Sequence, residues 1–159
     1  MQFRAMRRSA QQYSKEETEA IYSKCSTGVL AVNGEGGYPY AVPVNFVYHG
    51  GKIYFHCAPE GHKLDALKAN PKVCFTAVAA DDILEATYST RYESAIAFGT
   101  AAIVTDDMER REAFLALTKK YAPSRPAKEI ADKIGHCEKA LIIGVTIEHM
   151  TGKRGKYDE

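Results

Sequence analysis

The segment YFHCAPEGHK, Tyr54 to Lys63, gathers two histidines, a cysteine and a lysine within a few residues. Three chemistries could use such a set: metal ligation, attack by a thiolate, and anion binding. Successive strand residues point to opposite faces, so His56 and Cys57 cannot readily share one ion or act as base and nucleophile. His136-Cys137 offers a second pair, but the chain has no CxxC and no recognised zinc spacing, so no metal is expected. Its four cysteines are expected as free thiols. No GxSxG supports a serine hydrolase and no GxxxxGK[ST] supports a P-loop. The glycines of NGEGG belong to a hairpin turn.

Anion binding remains. His62 and Lys63 begin a helix, where the partial positive charge of the N-terminus disfavours cations. Either both side chains point into water, at a cost of about 0.3–1 kcal/mol, or they and the first backbone N–H groups face an anion such as a phosphate. VPVNFVY adds one amide, Asn45, to an apolar strand. An amide there needs water, a protein partner or a ligand. An apolar strand with one amide, His56 nearby and a cationic helix start would suit a flat aromatic ligand bearing a phosphate.

These residues need elements to hold them. Ser14 and Glu17 form a capping-box pattern for a helix over 15–24, and Asp106 with Glu109 repeats it for a helix to about Tyr121. GVLAV, YPYAVPVNFVY, KIYFHC, KVCFTAVA, ESAIAFGTAAIV and KALIIGVTIEHM are strand candidates. YPYAVPVNFVY and KIYFHC, joined by HGG, form an expected hairpin. Pro39 and Pro43 point to an edge or a bulge. A helix over 61–69 stops at Asn70-Pro71, and Ile130 and Ile134 suggest a further short helix. The order does not alternate βαβα, so the expected fold is mainly β, an antiparallel barrel with peripheral helices. One face of each apolar strand would fill the barrel, the other meeting helices or a second subunit.

One domain over 1–159 is expected, with an arm (1–12) and a polar tail (151–159) free to fray. The 21 basic and 20 acidic residues leave a net charge of +1, which argues against a general nucleic-acid or membrane-surface role. MQFRAMRRSAQQ lacks a signal peptide's apolar run and nothing approaches a membrane span, so a cytoplasmic location is expected.

The succession GYPYAVPVNFVY, GKIYFHCAPEGHKLDALKANPKVCF and YESAIAFGTAAIV resembles the pyridoxamine 5'-phosphate oxidase-like, FMN-binding split-barrel superfamily. Within it, the chain is most similar to the nitroimidazole-resistance (Nim) proteins, whose pattern MRR and TGK also match. The resemblance implies an antiparallel split β-barrel and a homodimer with FMN in clefts between subunits. By position it implies that Val42, Pro43, Val44 and Asn45 line the flavin ring, partly through backbone groups. It sets His56 and Cys57 along the ring and ribityl chain, and His62 and Lys63 on the phosphate. Ser94, with Tyr92 beside it, would reach the cofactor of the other subunit. VPVNFV lacks the arginine of true pyridoxamine-phosphate oxidases, and the C-terminus offers only Lys153, Arg154 and Lys156, so vitamin-B6 oxidation is not expected. The resemblance instead implies an FMN-dependent oxidoreductase reducing small flat acceptors such as nitroaromatics or quinones, with His56 near the reacting face. A non-catalytic flavin binder or sensor, and a haem-binding split barrel, are the rivals.

Overall fold

The computed structural model describes residues 2–126, 128–130, 132 and 140–155. Ile134, His136, Cys137 and Lys156, which entered the sequence analysis, lie outside the described residues. Seven strands form one antiparallel sheet: β1 (Thr27–Asn33), β2 (Pro39–Asn45), β3 (Val47–His49), β4 (Lys52–Cys57), β5 (Lys72–Leu84), β6 (Ser89–Ile103) and β7 (Leu141–Arg154). Their order is β2-β1-β5-β6-β7-β4-β3, and the sheet does not close. This is the expected mainly-β split barrel. Helices α1 (Lys15–Lys24), α2 (His62–Ala69) and α3 (Asp107–Tyr121) pack around it.

Local chemistry explains the helix starts. Ser14 accepts from the Glu17 N–H while the Glu17 carboxylate accepts from the Ser14 N–H, the reciprocal box read from the sequence. Only half of the second box forms. Asp106 accepts from the Glu109 N–H, but the Glu109 carboxylate turns away to Lys52 and Tyr54. The ion pair and phenol hydroxyl reward that carboxylate more than one amide does.

Alternation along the strands fills the interior with Leu30, Ile53, Phe55, Phe75, Ile143 and Val145, and Phe46 between β2 and β3 joins them, all fully buried. Ile21 and Tyr22 of α1 and Leu64 and Leu67 of α2 join this core. A smaller core under α3 holds Tyr54, Phe114, Leu117 and Ile142. On the outward side of β1, β5 and β6, Val29, Val78, Ile96 and Phe98 are 38–54% exposed among the described residues.

The pairing corrects the expected hairpin. Only Val47–His49 pairs with β4, whereas β2 pairs along its length with β1. One continuous segment therefore supplies both edges of the sheet, and Phe46 is the joint between them. Pro39 and Pro43 sit on edge strand β2, where a missing N–H costs no ladder bond. Phe46 buries its ring against Phe75, 4.8 Å between centroids. Its N–H donates to Tyr121 Oη at 2.8 Å, and its carbonyl accepts from Lys120 Nζ at 2.8 Å. The Tyr121 hydroxyl also reaches the carbonyls of Ser26 and Phe46.

Two further expectations change. Thr151–Arg154 is not a frayed tail but the end of β7, paired with β6 at Glu93–Ile96. The N-terminal arm is also tied down. Ser9–Gln11 forms a 3-10 turn, Gln12 bridges to Lys153, and the Tyr13 N–H donates to the Gly152 carbonyl. Gly152 is needed there, because an added Cβ would lie 2.5 Å from Thr18 Oγ1.

Candidate functional site

Every sequence-predicted site residue falls within the described residues, and the structure distributes them over three places. The first lies where β2 ends. Asn45 and His56 line one pocket of about 450 Å³ whose walls are mostly apolar. They are not cross-strand neighbours, since β4 pairs with β3 and β7 and not with β2. The turn at Phe46 and the C-terminal half of α3 bring them together, with Phe114, Leu117 and Tyr121 as walls. Both side chains are exposed, and neither has a hydrogen-bond partner among the described residues. Along β2, Pro43 shares the exposed side with Asn45, while Val42 and Val44 turn half-buried toward the core. To anything lying over the outward face of β2, the valines could offer only backbone.

The second place is the start of α2. Gly61 caps it with φ +125, a conformation open to glycine and strained for other residues, and no side chain caps the helix. The N–H groups of Leu64 and Asp65 fold back onto the Gly61 carbonyl, and Asp65 is the acidic residue of the first turn. His62 stacks on Tyr40, 4.1 Å between centroids. Lys63 is half-buried, with no carboxylate partner among the described residues. Cys57 lies close to it. Burial pushes this thiol above its ordinary value, and the Lys63 ammonium pulls in the opposite direction. Cys57 itself packs in the barrel core, so its side chain cannot lie along a ligand outside. Strand alternation between His56 and Cys57 accounts for both placements.

The third place is β6. Pro43, Val29, Thr76, Ile96 and Thr151 form one cross-strand row. Asn45 and Ser94 stand two residues along from it, toward the same end of the sheet. Three strand spacings separate them, roughly 14 Å. Within one chain Ser94 thus stands well apart from Asn45. Tyr92 lies farther along, its hydroxyl 3.5 Å from Gln11 Oε1 and its ring 5.1 Å from Lys153 Nζ.

Sequence reasoning missed Tyr40 as the ring under His62. Tyr121, read as the end of a helix, is 38% exposed and belongs to the pocket wall. Nothing local marks these contacts, which depend on pairing across the fold. Among the described residues, no three of His, Cys, Asp and Glu come together as a metal site requires. No helix among them is long and apolar enough to cross a membrane.

Comparison with known proteins follows this geometry. Residues 14–154 match the family described as pyridoxamine 5'-phosphate oxidase. No curated protein matches. Among solved structures, a candidate 5-nitroimidazole antibiotic resistance protein from Bacteroides thetaiotaomicron is 27% identical with a TM-score of 0.74, covering 89% of this chain and 84% of that one. A conserved hypothetical protein from Mycobacterium tuberculosis has a TM-score of 0.80 at 16% identity, covering 94% and 90%. The FAD and heme binding protein from Mycobacterium smegmatis has a TM-score of 0.72 at 24% identity, covering 94% of this chain and 76% of that one.

Proposed function

The chain belongs to the pyridoxamine 5'-phosphate oxidase family, and from that premise we propose that it is an FMN-binding oxidoreductase reducing small flat acceptors of the nitroaromatic or quinone type. The observation that carries this reading is the start of α2. Two cationic residues open a helix that has no side-chain cap, in a conformation that only glycine enters easily. A phosphate would accept from its free N–H groups and neutralise Lys63, which sits half-buried with no carboxylate partner among the described residues. The residues therefore fit the cofactor. His62 and Lys63 would hold the phosphate, Pro43, Asn45 and the backbone of Val42 and Val44 the ring, and the backbone at Cys57 the chain between. A bound flavin supplies the electron transfer, and the protein contributes position, electrostatics and exclusion of water. His56 shares a pocket with Asn45 and is the side chain proposed to face an acceptor and give it a proton. The likeness to a candidate nitroimidazole-resistance protein supports that acceptor class.

The site is proposed to be completed by a second copy of the chain. The exposed apolar side of β1, β5 and β6 suits a homodimer, and Ser94 and Tyr92 would then reach the partner's cofactor.

Absorption spectroscopy with added FMN, then NADH or NADPH without oxygen, tests the reading. Flavin bands that bleach on reduction are expected, and bands that never bleach would favour a binder without turnover. A Soret band in place of flavin bands would replace FMN with haem. The double variant His62→Ala, Lys63→Ala is expected to bind FMN about tenfold more weakly or worse, with the fold intact. Unchanged affinity would remove the phosphate site.

A further inference from the structure

The N-terminal arm forms a second cationic place, away from α2. Arg7 and Arg8 come from the arm, and the opposite wall is the start of β6, with Ser89, Thr90 and Tyr92. Together with Gln11 they line an open cavity of about 750 Å³ to which, among the described residues, no carboxylate contributes. The guanidinium groups of Arg7 and Arg8 have no ion pair or hydrogen bond among the described residues. Lys153 adds a third cation above the Tyr92 ring, 5.1 Å from its centroid.

Gln11 gives this cavity a direction. It is only 8% exposed, and among the described residues its side chain makes one hydrogen bond, the long contact from the Tyr92 hydroxyl at 3.5 Å to Oε1. Its amide N–H₂ group has no partner among the described residues. No buried side-chain polar atom among the described residues lacks a partner, so this amide opens into the cavity, where a ligand can accept from it. Two guanidinium forks unpaired among the described residues, an amide donor and the hydroxyls of Ser89 and Thr90 suit the same thing, a compact anion with several acceptor oxygens. Guanidinium forks match phosphate oxygens in pairs, which a single carboxylate satisfies less completely.

We propose that this cavity binds a phosphate or diphosphate group, from either a nucleotide or free inorganic anion, as a site separate from α2. Ordering of the arm is part of the site, because the pairing of Gln12 with Lys153 and of Tyr13 with Gly152 fixes the base from which Arg7 and Arg8 project.

Calorimetric titration of the FMN-saturated chain with pyrophosphate at low salt reads this directly. Saturable binding of about one pyrophosphate per chain is expected, weakened about tenfold or more in Arg7→Gln, Arg8→Gln. Gln11→Glu, which sets a carboxylate at the wall, is expected to abolish it. The His62→Ala, Lys63→Ala variant is expected to keep it, so failure of the flavin reading would leave this site standing. Absence of saturable heat, equal affinity in the double-arginine variant, or loss only in the α2 variant would each overturn the proposal. ADP binding more tightly than pyrophosphate would assign the site to a nucleotide, and equal affinity to the inorganic anion.

Discussion

Glu109 illustrates how a single side chain is recruited away from its local role. The Lys52 ammonium at 2.8 Å and the Tyr54 hydroxyl at 2.7 Å both donate to it, tying the first turn of α3 to β4. The Lys52 hydrogen bond, foremost, and that of Tyr54 hold its carboxyl below the usual range. A carboxyl depressed by folding stabilises fully above its unfolded value, near 4.3, and less as pH falls through the folded value. Because the pair is partly exposed, its worth is about 1 kcal/mol at most. Urea denaturation at neutral pH and near pH 3 should therefore show a slightly flatter acid limb in Glu109→Gln than in the wild type. An identical pH dependence would mean that the contact carries no stability.

At the scale of elements, the joint at Phe46 decides the geometry of the pocket. Two adjacent residues at the end of α3, Lys120 and Tyr121, satisfy the backbone of the one residue that belongs to neither edge strand. Burial lowers the Lys120 ammonium from its ordinary value, and the Phe46 ring lies 4.0 Å from it. Tyr121→Phe leaves the Phe46 N–H without its acceptor, an expected loss of about 1–3 kcal/mol in urea denaturation. Asn45 adjoins this residue, so the same variant should also weaken FMN; full stability would show that another group holds the joint. Most elements were legible beforehand, since capping, alternation and turn residues act within a few positions: α1, α2, α3 and the strand cores fall where those signals stand. Pro39 and Pro43 announced an edge. Partners were not legible, because hydrogen bonding between β2 and β1 leaves no local mark. Asp81 and Asp82 likewise carry β5 past the KVCFTAVA candidate, and Arg91 pairs with Asp82 across the hairpin. Of the site, the cations of α2 and the isolated Asn45 stood out by type. Tyr40, Tyr121 and the arm cavity did not, because long-range pairing assembles them.

For the whole molecule, the exposed face of β1, β5 and β6 sets the expected assembly. Val29, Val78, Ile96 and Phe98 lie exposed on that face, and Phe3 of the arm already shelters one edge by stacking on His149 at 4.7 Å. Sedimentation should give a dimer for the wild type and a monomer for Ile96→Lys, with FMN lost alongside; a monomeric wild type would refute the shared cleft. The two ends of the sheet carry the opposite disposition. On β2 the prolines remove donors that an incoming strand would need, and β3 is three residues long. An open barrel would ordinarily offer its rims as templates for strand-by-strand growth into fibrils. Here both rims are blunt, so a concentrated solution of this protein is expected to resist the edgewise polymerisation that an unclosed sheet invites.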